Sequence, residues 1–235
     1  MMYYILYICD KIFTIFIVKT GKNMEFNYFD DKAAAWDDDK KYRRAKKIFV
    51  RINDFIKYKN FDSKNTNKRL LDFGCGTGLL GFNFINDFQE IHFADISEGM
   101  LNKVKCKAES ENILNYKIFK LSENFAGFNK FPFYNAIVTL LAFHHINDIE
   151  QILKLLSSHI VQGGFLAVSD LDVEDGSFHA PMKVPHNGID RNTIINFMKN
   201  AEFEILCNET VYVEEKNIGN DIKEYPIFLI LGKKR

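Results

Sequence analysis

Residues 69–81, RLLDFGCGTGLLG, contain two overlapping glycine patterns. Read around Gly74, the stretch has the form D-x-G-x-G-x-G. Read from Gly76, it is G-T-G-L-L-G, a formal match to the G-x-G-x-x-G fingerprint of dinucleotide-binding loops. Both patterns describe a glycine-rich turn of a nucleotide-binding fold, so the position at which the preceding strand ends must separate them.

The end of that strand favours the first pattern. In a dinucleotide fold the first glycine follows directly on the first strand, so that the next helix can meet the pyrophosphate. If Gly76 held that position, Gly74 and Cys75 would lie inside the strand, where glycine is unfavourable. We therefore expect the strand to end at Asp72-Phe73. An acid just before the turn is a poor neighbour for a pyrophosphate but suits a cationic ligand that lacks phosphate.

Short apolar strands alternate with helical patterns along the rest of the chain. The predicted strands are residues 69–73, 90–96, 115–121, 135–143, 164–172, 204–216 and 224–234. The predicted helices are residues 37–58, 78–88, 97–113, 147–160 and 190–203. Apolar strands joined by helical crossovers indicate a parallel sheet that is covered on both faces. The last two strands have no helix between them and require an antiparallel connection.

These patterns predict an α/β fold. We expect a doubly wound, Rossmann-like sheet of seven strands, mostly parallel with an antiparallel last strand, and with helices on both faces.

Composition narrows the partners. Lys plus Arg and Asp plus Glu number 31 each, so no net charge draws the chain toward nucleic acid or anionic lipid. We expect a small-molecule partner and no nucleic acid. The four cysteines are scattered and form no C-x-x-C pair, which indicates neither a disulfide framework nor a zinc site. A reducing, cytoplasmic compartment is expected.

Several segments resemble the successive motifs of class I S-adenosylmethionine-dependent methyltransferases. They are LLDFGCGTG (70–78), HFADISEGML (92–101), AFHHI (142–146) and GGFLAVSDLD (163–172), and the resemblance extends over residues 24–235. The segments FDDKAAAWDDD, EDGSFH and HNGIDR resemble a bacterial-type subset that is described only as methyltransferases of unspecified substrate. The resemblance implies S-adenosylmethionine as the cofactor and methyl transfer to an unidentified small-molecule acceptor.

The resemblance also implies particular cofactor contacts. The implied residues are Asp72, Gly74, Cys75, Gly76, Gly78, Asp95, Ile96, Met100, Ser122, Thr139 and Leu140. Asp72 would orient the glycine loop or reach the cofactor's amino group through water, and Asp95 would hold the ribose. Ile96 and Met100 would pack on the adenine, while Thr139 and Leu140 would offer carbonyls to the methionine ammonium. The acid that the family usually places near the adenine amino group is missing, and Ser122 or Glu123 replaces it.

The catalytic candidates follow the fourth and fifth strands, at the edge where this fold opens its cleft. They are His145, Asp172, His179 and His186. Methyl transfer from a sulfonium is a displacement with a good leaving group, so the protein must mainly align the nucleophile and exclude water. A general base is needed only if the nucleophile carries a proton of high pKa. Oxygen and imidazole groups without fixed spacing are weak evidence for a metal, and none is expected.

Three segments are distinguished along the chain. Residues 1–23 form an apolar extension, interpreted as a non-native start because Met24 begins a polar and aromatic opening; a membrane anchor is the alternative. Residues 24–60 are predicted to form lid helices, in which Arg43 or Arg44 could meet the cofactor carboxylate. Residues 61–235 are expected to form the cofactor-binding methyltransferase domain that the resemblance implies. The oligomeric state stays open.

Two other functions compete with this interpretation. A nicotinamide-dependent oxidoreductase is supported by G-T-G-L-L-G and by Asp95, but Tyr42-x-x-x-Lys46 lies on the wrong side of the glycine loop to supply its catalytic pair. A cofactor-binding protein without catalysis would use the loop 173–189 as an interaction surface.

Overall fold

A computed structural model describes residues 5–8, 11–14, 24–58 and 68–235 of the chain. Strands β1 (Ile5–Ile8) and β2 (Lys11–Thr14) pair antiparallel in a small sheet of their own. The other residues of the predicted extension, and the predicted boundary between lid and domain at residues 60–61, lie outside the described residues. Within the described part, none of the helices has the length and apolar character that crossing a membrane requires.

Two helices precede the main sheet. They are α1 (Met24–Lys32) and α2 (Asp39–Tyr58), with a 3-10 turn at Ala33–Ala35 between them. The sequence predicts α2 from apolar residues at helical spacing, and Ala45, Ile48, Ile52 and Ile56 are indeed buried along one face. The α2 helix therefore packs on the body of the molecule.

The main sheet has seven strands. They are β3 (Arg69–Phe73), β4 (Glu90–Asp95), β5 (Tyr116–Lys120), β6 (Tyr134–Leu140), β7 (Ile160–Leu171), β8 (Phe203–Ile218) and β9 (Asp221–Lys234). Their spatial order is β5-β4-β3-β6-β7-β9-β8. Strands β3 to β7 are parallel, and β9 runs antiparallel to both β7 and β8. The predicted mostly parallel sheet with an antiparallel last strand is confirmed.

Helices cover both faces of this sheet. The remaining helices are α3 (Glu98–Ser110), α4 (Ile149–Ser158) and α5 (Arg191–Asn200). Alternate residues of β7 enter two different cores: Phe165 joins the core that includes α2 and α3, while Leu166 joins the core that includes α4 and α5. This alternation is the pattern expected of a central strand buried on both sides.

The order of the strands determines where a ligand can bind. Strand β3 lies between β4 and β6, so the connections leaving β3 and β6 turn in opposite directions along the sheet. A crevice opens at such a switch point, outside the carboxyl ends of the parallel strands. The glycine turn after β3 lies at this edge.

The segment after the glycine turn differs from the prediction. The sequence predicts a helix over residues 78–88, but the structure has only a 3-10 turn, Gly81–Phe84. Gly78 has a φ of 82°, outside the helical region, and Gly81 packs tightly on the sheet. A Cβ at Gly81 would lie 2.5 Å from the Phe93 ring and 2.7 Å from an Asp72 carboxylate oxygen. This close packing on the sheet, together with the left-handed backbone at Gly78, leaves only a short turn.

The predicted starts of α3 and α4 agree with the structure better than the helix predicted at residues 78–88 does. The helix predicted from residue 97 is α3, and Ser97 is its N-cap, since its hydroxyl accepts a hydrogen bond from the backbone N–H of Met100. Helix α4 begins two residues after the predicted residue 147, because Asp148 caps it by accepting from the N–H of Gln151.

Candidate active site

The glycine turn follows β3 directly, and β3 ends at Phe73 as predicted. Gly74, Gly76 and Gly78 have φ values of 65°, 52° and 82°, in the left-handed region that favours glycine. A Cβ at Gly74 would lie 2.5 Å from the Cβ of Ala142, so this position has no room for a side chain. The turn is therefore a cradle whose backbone a ligand can approach closely.

Two buried carboxylates hold this turn. Asp72 accepts a hydrogen bond from the N–H of Gly81 at 2.8 Å, and burial raises the pKa of Asp72 to about 7. Asp95, at the end of β4, accepts from the N–H of Gly76 at 2.7 Å and from the N–H of Ser97 at 2.8 Å. Burial raises the pKa of Asp95 as well. Both acids lie beside the same short stretch of backbone.

A cavity of about 730 Å³ extends from this turn beneath α1 and α2. Most of the predicted cofactor residues line it, namely Asp72, Gly74, Cys75, Gly76, Asp95, Ile96, Met100 and Leu140. The structure therefore brings together residues from the ends of β3, β4 and β6, as the sequence predicts for this edge of the sheet.

Three predicted cofactor residues do not line the cavity. Gly78 lies one step beyond it, where its N–H donates to the carbonyl of Cys75 at 2.9 Å. Thr139 is buried in the sheet. Ser122 is exposed and its hydroxyl donates to Asn124, whereas Glu123 lines the cavity. Between the two predicted substitutes for the missing acid, the geometry favours Glu123.

A histidine cluster closes the cavity near the end of β6. His144 is buried in the 3-10 turn Phe143–His145, and its Nδ1 contacts Oδ1 of Asp170. The other oxygen of Asp170 accepts the N–H of Phe143 at 2.8 Å. The Nε2 atoms of His144 and His179 are 2.9 Å apart. The ring of His145 lies 5.0 Å from that of His179 and 5.2 Å from that of Phe29.

The surroundings keep His179 neutral. Burial lowers the pKa of His179 to about 2, and the neighbouring His144 and His145 add to the effect. Of the four predicted catalytic residues, His145 and His179 line the cavity. A neutral imidazole at this place can accept a hydrogen bond or bind a metal.

The other two catalytic candidates do not line the cavity. Asp172 forms a two-point ion pair with Arg191, in which Nε and Oδ1 are 2.6 Å apart. The Nε2–H of His186 donates to the carbonyl of Ile146 at 2.9 Å, and the backbone N–H of His186 donates to the carbonyl of His144 at 3.1 Å. These contacts tie the loop after β7 to the rest of the described structure.

Two acids lie in the segment that precedes the main sheet, and they anchor this segment over the glycine turn. Asp30 accepts hydrogen bonds from the hydroxyl of Ser97 at 2.6 Å and from the N–H of Gly99 at 2.9 Å. Asp37 accepts from the hydroxyl of Thr77 and pairs with Lys107 at 2.6 Å. Tyr28, Phe29 and Trp36 line the cavity from this side.

A basic wall completes the cavity. Arg44 pairs with the buried carboxylate of Glu214 at 2.7 Å, and Lys40 pairs with the same carboxylate at 2.8 Å. The buried Nε of Arg44 has no hydrogen-bond partner among the described residues. Lys216 lies over the ring of Phe178, 3.6 Å from its centroid. Three cations around one carboxylate leave this wall with a net positive charge.

Sequence reasoning missed several of these residues. Asp170 stands at the end of β7 and was available as a strand-end acid, but nothing in the sequence pairs it with His144. Glu214 and Lys216 come from β8, far from the motifs, and only the folded sheet brings them to α2.

The fold and the cavity define a Rossmann-like protein that binds a nucleoside-type cofactor at the switch point of its sheet. Residues 71–166 match the family model described as a methyltransferase domain. The chain is similar to an uncharacterized methyltransferase of Schizosaccharomyces pombe, with 27% identity over 201 residues that cover 79% of this chain and 69% of the relative.

Two further comparisons agree. The malonyl-[acyl-carrier protein] O-methyltransferase of Bacillus anthracis is 27% identical over 114 residues, covering 48% of this chain and 40% of that enzyme. The structure of magnesium protoporphyrin IX methyltransferase from Synechocystis, solved with bound SAH, superposes with a TM-score of 0.61 at 14% identity, covering 92% of this chain and all of that one. Together these similarities support a class I S-adenosylmethionine-dependent methyltransferase. The chain spans about two fifths of the Bacillus enzyme's length.

Proposed function

We propose that the cavity binds S-adenosylmethionine against the glycine turn and that the protein methylates a small-molecule acceptor at the histidine end. The observation that carries the proposal is the pair of buried acids, Asp72 and Asp95, beside a turn of left-handed glycines in one cavity. These residues fit the cofactor, because two acids oppose a pyrophosphate but suit a cationic ligand. A Cβ at Gly76 would meet only Trp36, at 4.0 Å, so this part of the cradle is open to a ligand.

Different residues are assigned to different parts of the cofactor. Asp95 accepts hydrogen bonds from the ribose hydroxyls, as the strand-end acid does in related nucleotide folds. Ile96 and Met100 pack on the adenine, and Glu123 reaches its amino group. The backbone carbonyl of Leu140 meets the methionine ammonium, because Leu140 lines the cavity whereas Thr139 does not.

The cofactor's carboxylate belongs at the basic wall. Arg44 is the only arginine among the residues described as lining the cavity, and its Nε lacks a hydrogen-bond partner there. An arginine can present two parallel N–H groups to a carboxylate. Arg43 is exposed on the same helix and does not line the cavity, so of the two arginines that the sequence suggested, Arg44 is proposed.

The acceptor binds beside His145 and His179. Bound S-adenosylmethionine supplies an electrophilic methyl group, so the protein has to hold the acceptor's nucleophile in line and keep water out. The neutral His179 accepts a hydrogen bond from the acceptor, and Asp170 holds His144 behind it. Asp172 and His186 are proposed to position the loop that carries His179.

Residues 24–60 are proposed to act as the lid of this site and residues 61–235 as the domain that binds the cofactor. The anchors at Asp30 and Asp37 support the first part, because they attach the lid to the glycine turn and to α3. The even balance of charge supports a small molecule rather than nucleic acid as the partner. A cytoplasmic location is proposed because the cysteines are scattered along the sequence and the three in the described residues, Cys75, Cys106 and Cys207, are free.

Thermal-shift measurements test the proposal. S-adenosylmethionine and S-adenosylhomocysteine should raise the melting temperature, because a ligand that binds the native state stabilises it, while NAD and NADP should not. At 100 times the Kd the gain is about 2.7 kcal/mol, or roughly 5–10 °C for a domain of this size. Stabilisation by NAD alone would instead indicate an oxidoreductase.

A transfer assay separates an enzyme from a protein that only binds the cofactor. Labelled S-adenosylmethionine should pass its methyl group to a component of a fractionated metabolite pool. Tight binding without transfer to any fraction would support the non-catalytic alternative.

A further inference from the structure

The strongest feature outside the cofactor cradle is the cluster of His144, His145 and His179. Each offers one ring nitrogen, and these three atoms all lie within 4.8 Å of one another. The histidines come from the 3-10 turn after β6 and from the loop after β7, so the fold rather than the sequence brings them together. We propose that these three histidines bind a divalent transition metal of the zinc type, with one coordination position open to the cavity.

The geometry of His144 supports this proposal. A histidine that ligates a metal almost always gives its other ring N–H to a carboxylate or carbonyl, which fixes the tautomer. The Nδ1 of His144 contacts Asp170, and Asp170 is itself held by the backbone N–H groups of Phe143 and Leu171. With Nδ1 donating, the Nε2 of His144 presents its lone pair to His179.

The separations are close to those of a coordination site. Zinc lies about 2.0–2.1 Å from imidazole nitrogens, so two ligands of one tetrahedral ion are roughly 3.3 Å apart. The Nε2 atoms of His144 and His179 are 2.9 Å apart, slightly closer than that. The widest pair of the cluster needs a small rotation of a side chain, and His145 and His179 are only partly buried.

The contact between the rings of His144 and His179 has one other explanation. Without a metal, one Nε2 of the His144–His179 pair must carry a proton and donate it to the other. A simple hydrogen bond between the two histidines is therefore the competing explanation.

A metal at this cluster would specify the acceptor class of the proposed function, and this inference rests on that function. Three imidazoles leave the fourth position of zinc for a water or a substrate. A thiol or hydroxyl acceptor would lose its proton to solvent on binding there, and its anion would form the new bond to the methyl carbon as the bond from that carbon to sulfur breaks. The acceptor class that fits is therefore a small thiol or hydroxyl compound.

Metal binding can be measured without activity. The tag-free, full-length protein is freed of metal by chelation and titrated with Zn²⁺ against a chromophoric competitor. We expect one tight site per chain, and the Co²⁺ form should show the visible bands of a tetrahedral site with nitrogen ligands. The variants His179→Ala and His145→Ala should weaken Zn²⁺ binding at least 100-fold, and Asp170→Asn about 10–100-fold.

His159→Ala is the matched control, since His159 lies at the end of α4, away from the cavity, and its loss should leave zinc affinity unchanged. The proposal is overturned if the wild type binds no stoichiometric Zn²⁺, or if the His179 and His145 variants bind it as well as the wild type does. If His179→Ala does not fold, His179→Gln and the Co²⁺ spectrum of the wild type decide.

The thermal shift with S-adenosylhomocysteine, measured on the metal-free protein, keeps the two proposals apart. If it is retained while zinc fails to bind, only the metal site is wrong. If it is absent, the proposed cofactor site is wrong, whatever the zinc titration shows.

Discussion

At the scale of single residues, Asp95 combines two tasks. Its carboxylate accepts the N–H groups of Gly76 and Ser97, and it also lines the cavity where the ribose is proposed to lie. One oxygen thus fixes the glycine turn and the other fixes the start of α3. A change at this residue should disturb both the ligand and its cradle.

Replacing Asp95 with Ala should therefore reduce the thermal shift caused by S-adenosylhomocysteine. Losing charged hydrogen bonds of about 1.5–3 kcal/mol lowers affinity by roughly 10- to 150-fold. Glu98→Ala serves as the control, because Glu98 is an exposed acid in the first turn of α3 that does not line the cavity. A full thermal shift with the Asp95→Ala variant would contradict the assigned role.

Arg44 permits a more selective experiment, because it is assigned to one end of the cofactor. The Arg44→Gln variant should bind S-adenosylhomocysteine about 10-fold or more weakly, since a charge-assisted pair is lost. Binding of methylthioadenosine, which lacks the amino acid part, should change little. Calorimetry with both ligands measures the difference.

Arg43→Gln is the matched control for Arg44→Gln, one position away on the same helix but exposed. It should leave both affinities unchanged. If the Arg44 variant weakens both ligands equally, Arg44 supports the cavity only through its ion pair with Glu214.

At the scale of elements, Asp30 attaches α1 to the start of α3, since it accepts both the hydroxyl of Ser97 and the N–H of Gly99. Gly99 allows this approach: a Cβ there would lie 2.9 Å from the carbonyl oxygen of Asp30. A side chain at that position would push the lid away.

The Asp30→Ala variant should loosen the lid. We expect a several-fold weaker affinity for S-adenosylhomocysteine and faster cleavage by trypsin after the lysines of α1 and α2, because local opening exposes the backbone. Asp31→Ala, at the exposed neighbouring acid, should behave like the wild type in both measurements. Equal protease sensitivity of the two variants would mean that Asp30 does not hold the lid.

The elements also show what the sequence can and cannot predict. Strand ends and helix starts were predictable because they depend on neighbouring residues: β3 ends at Phe73, and Ser97 caps α3. The helix predicted at 78–88 was wrong, since its apolar pattern does not reveal how closely Gly81 packs on Phe93. The contact between His144 and Asp170 joins residues 26 positions apart, and only the adjacent strands β6 and β7 bring them together.

The candidate site divides along the same line. The predicted cofactor residues lie in short local segments, and most of them line the cavity. Most of the catalytic candidates lie in the long loop after β7, where composition indicates a functional region without showing which side chains point inward. Asp172 was a catalytic candidate because it carries a carboxylate, yet both oxygens of that carboxylate pair with Arg191.

At the scale of the whole molecule, the burial of Asp72 has a cost in stability. Its pKa is about 7 in the native state, against about 3.9 in an unfolded chain. Between these values the native state binds more protons than the unfolded state, so this group makes the free energy of unfolding fall as the pH rises from about 4 to about 7. The loss is complete above the native pKa and is at most about 4 kcal/mol.

The Asp72→Asn variant should escape this loss. Its amide keeps an oxygen that can accept the N–H of Gly81 but cannot ionise. Urea unfolding at several pH values should show the variant gaining on the wild type between pH 4 and 7, with a constant difference above pH 7. A difference that does not vary with pH would show that Asp72 titrates normally.

The same variant connects stability to the ligand. A cation bound beside the glycine turn would favour the ionised form of Asp72 and lower its pKa, because opposite charges at close range attract. Saturating S-adenosylmethionine should therefore stabilise the wild type more than the Asp72→Asn variant at pH 8, so that the difference in melting temperature between the two proteins narrows or reverses. If the difference is unchanged by the ligand, Asp72 only shapes the turn through Gly81, and the positive charge of the cofactor lies too far away to act on it.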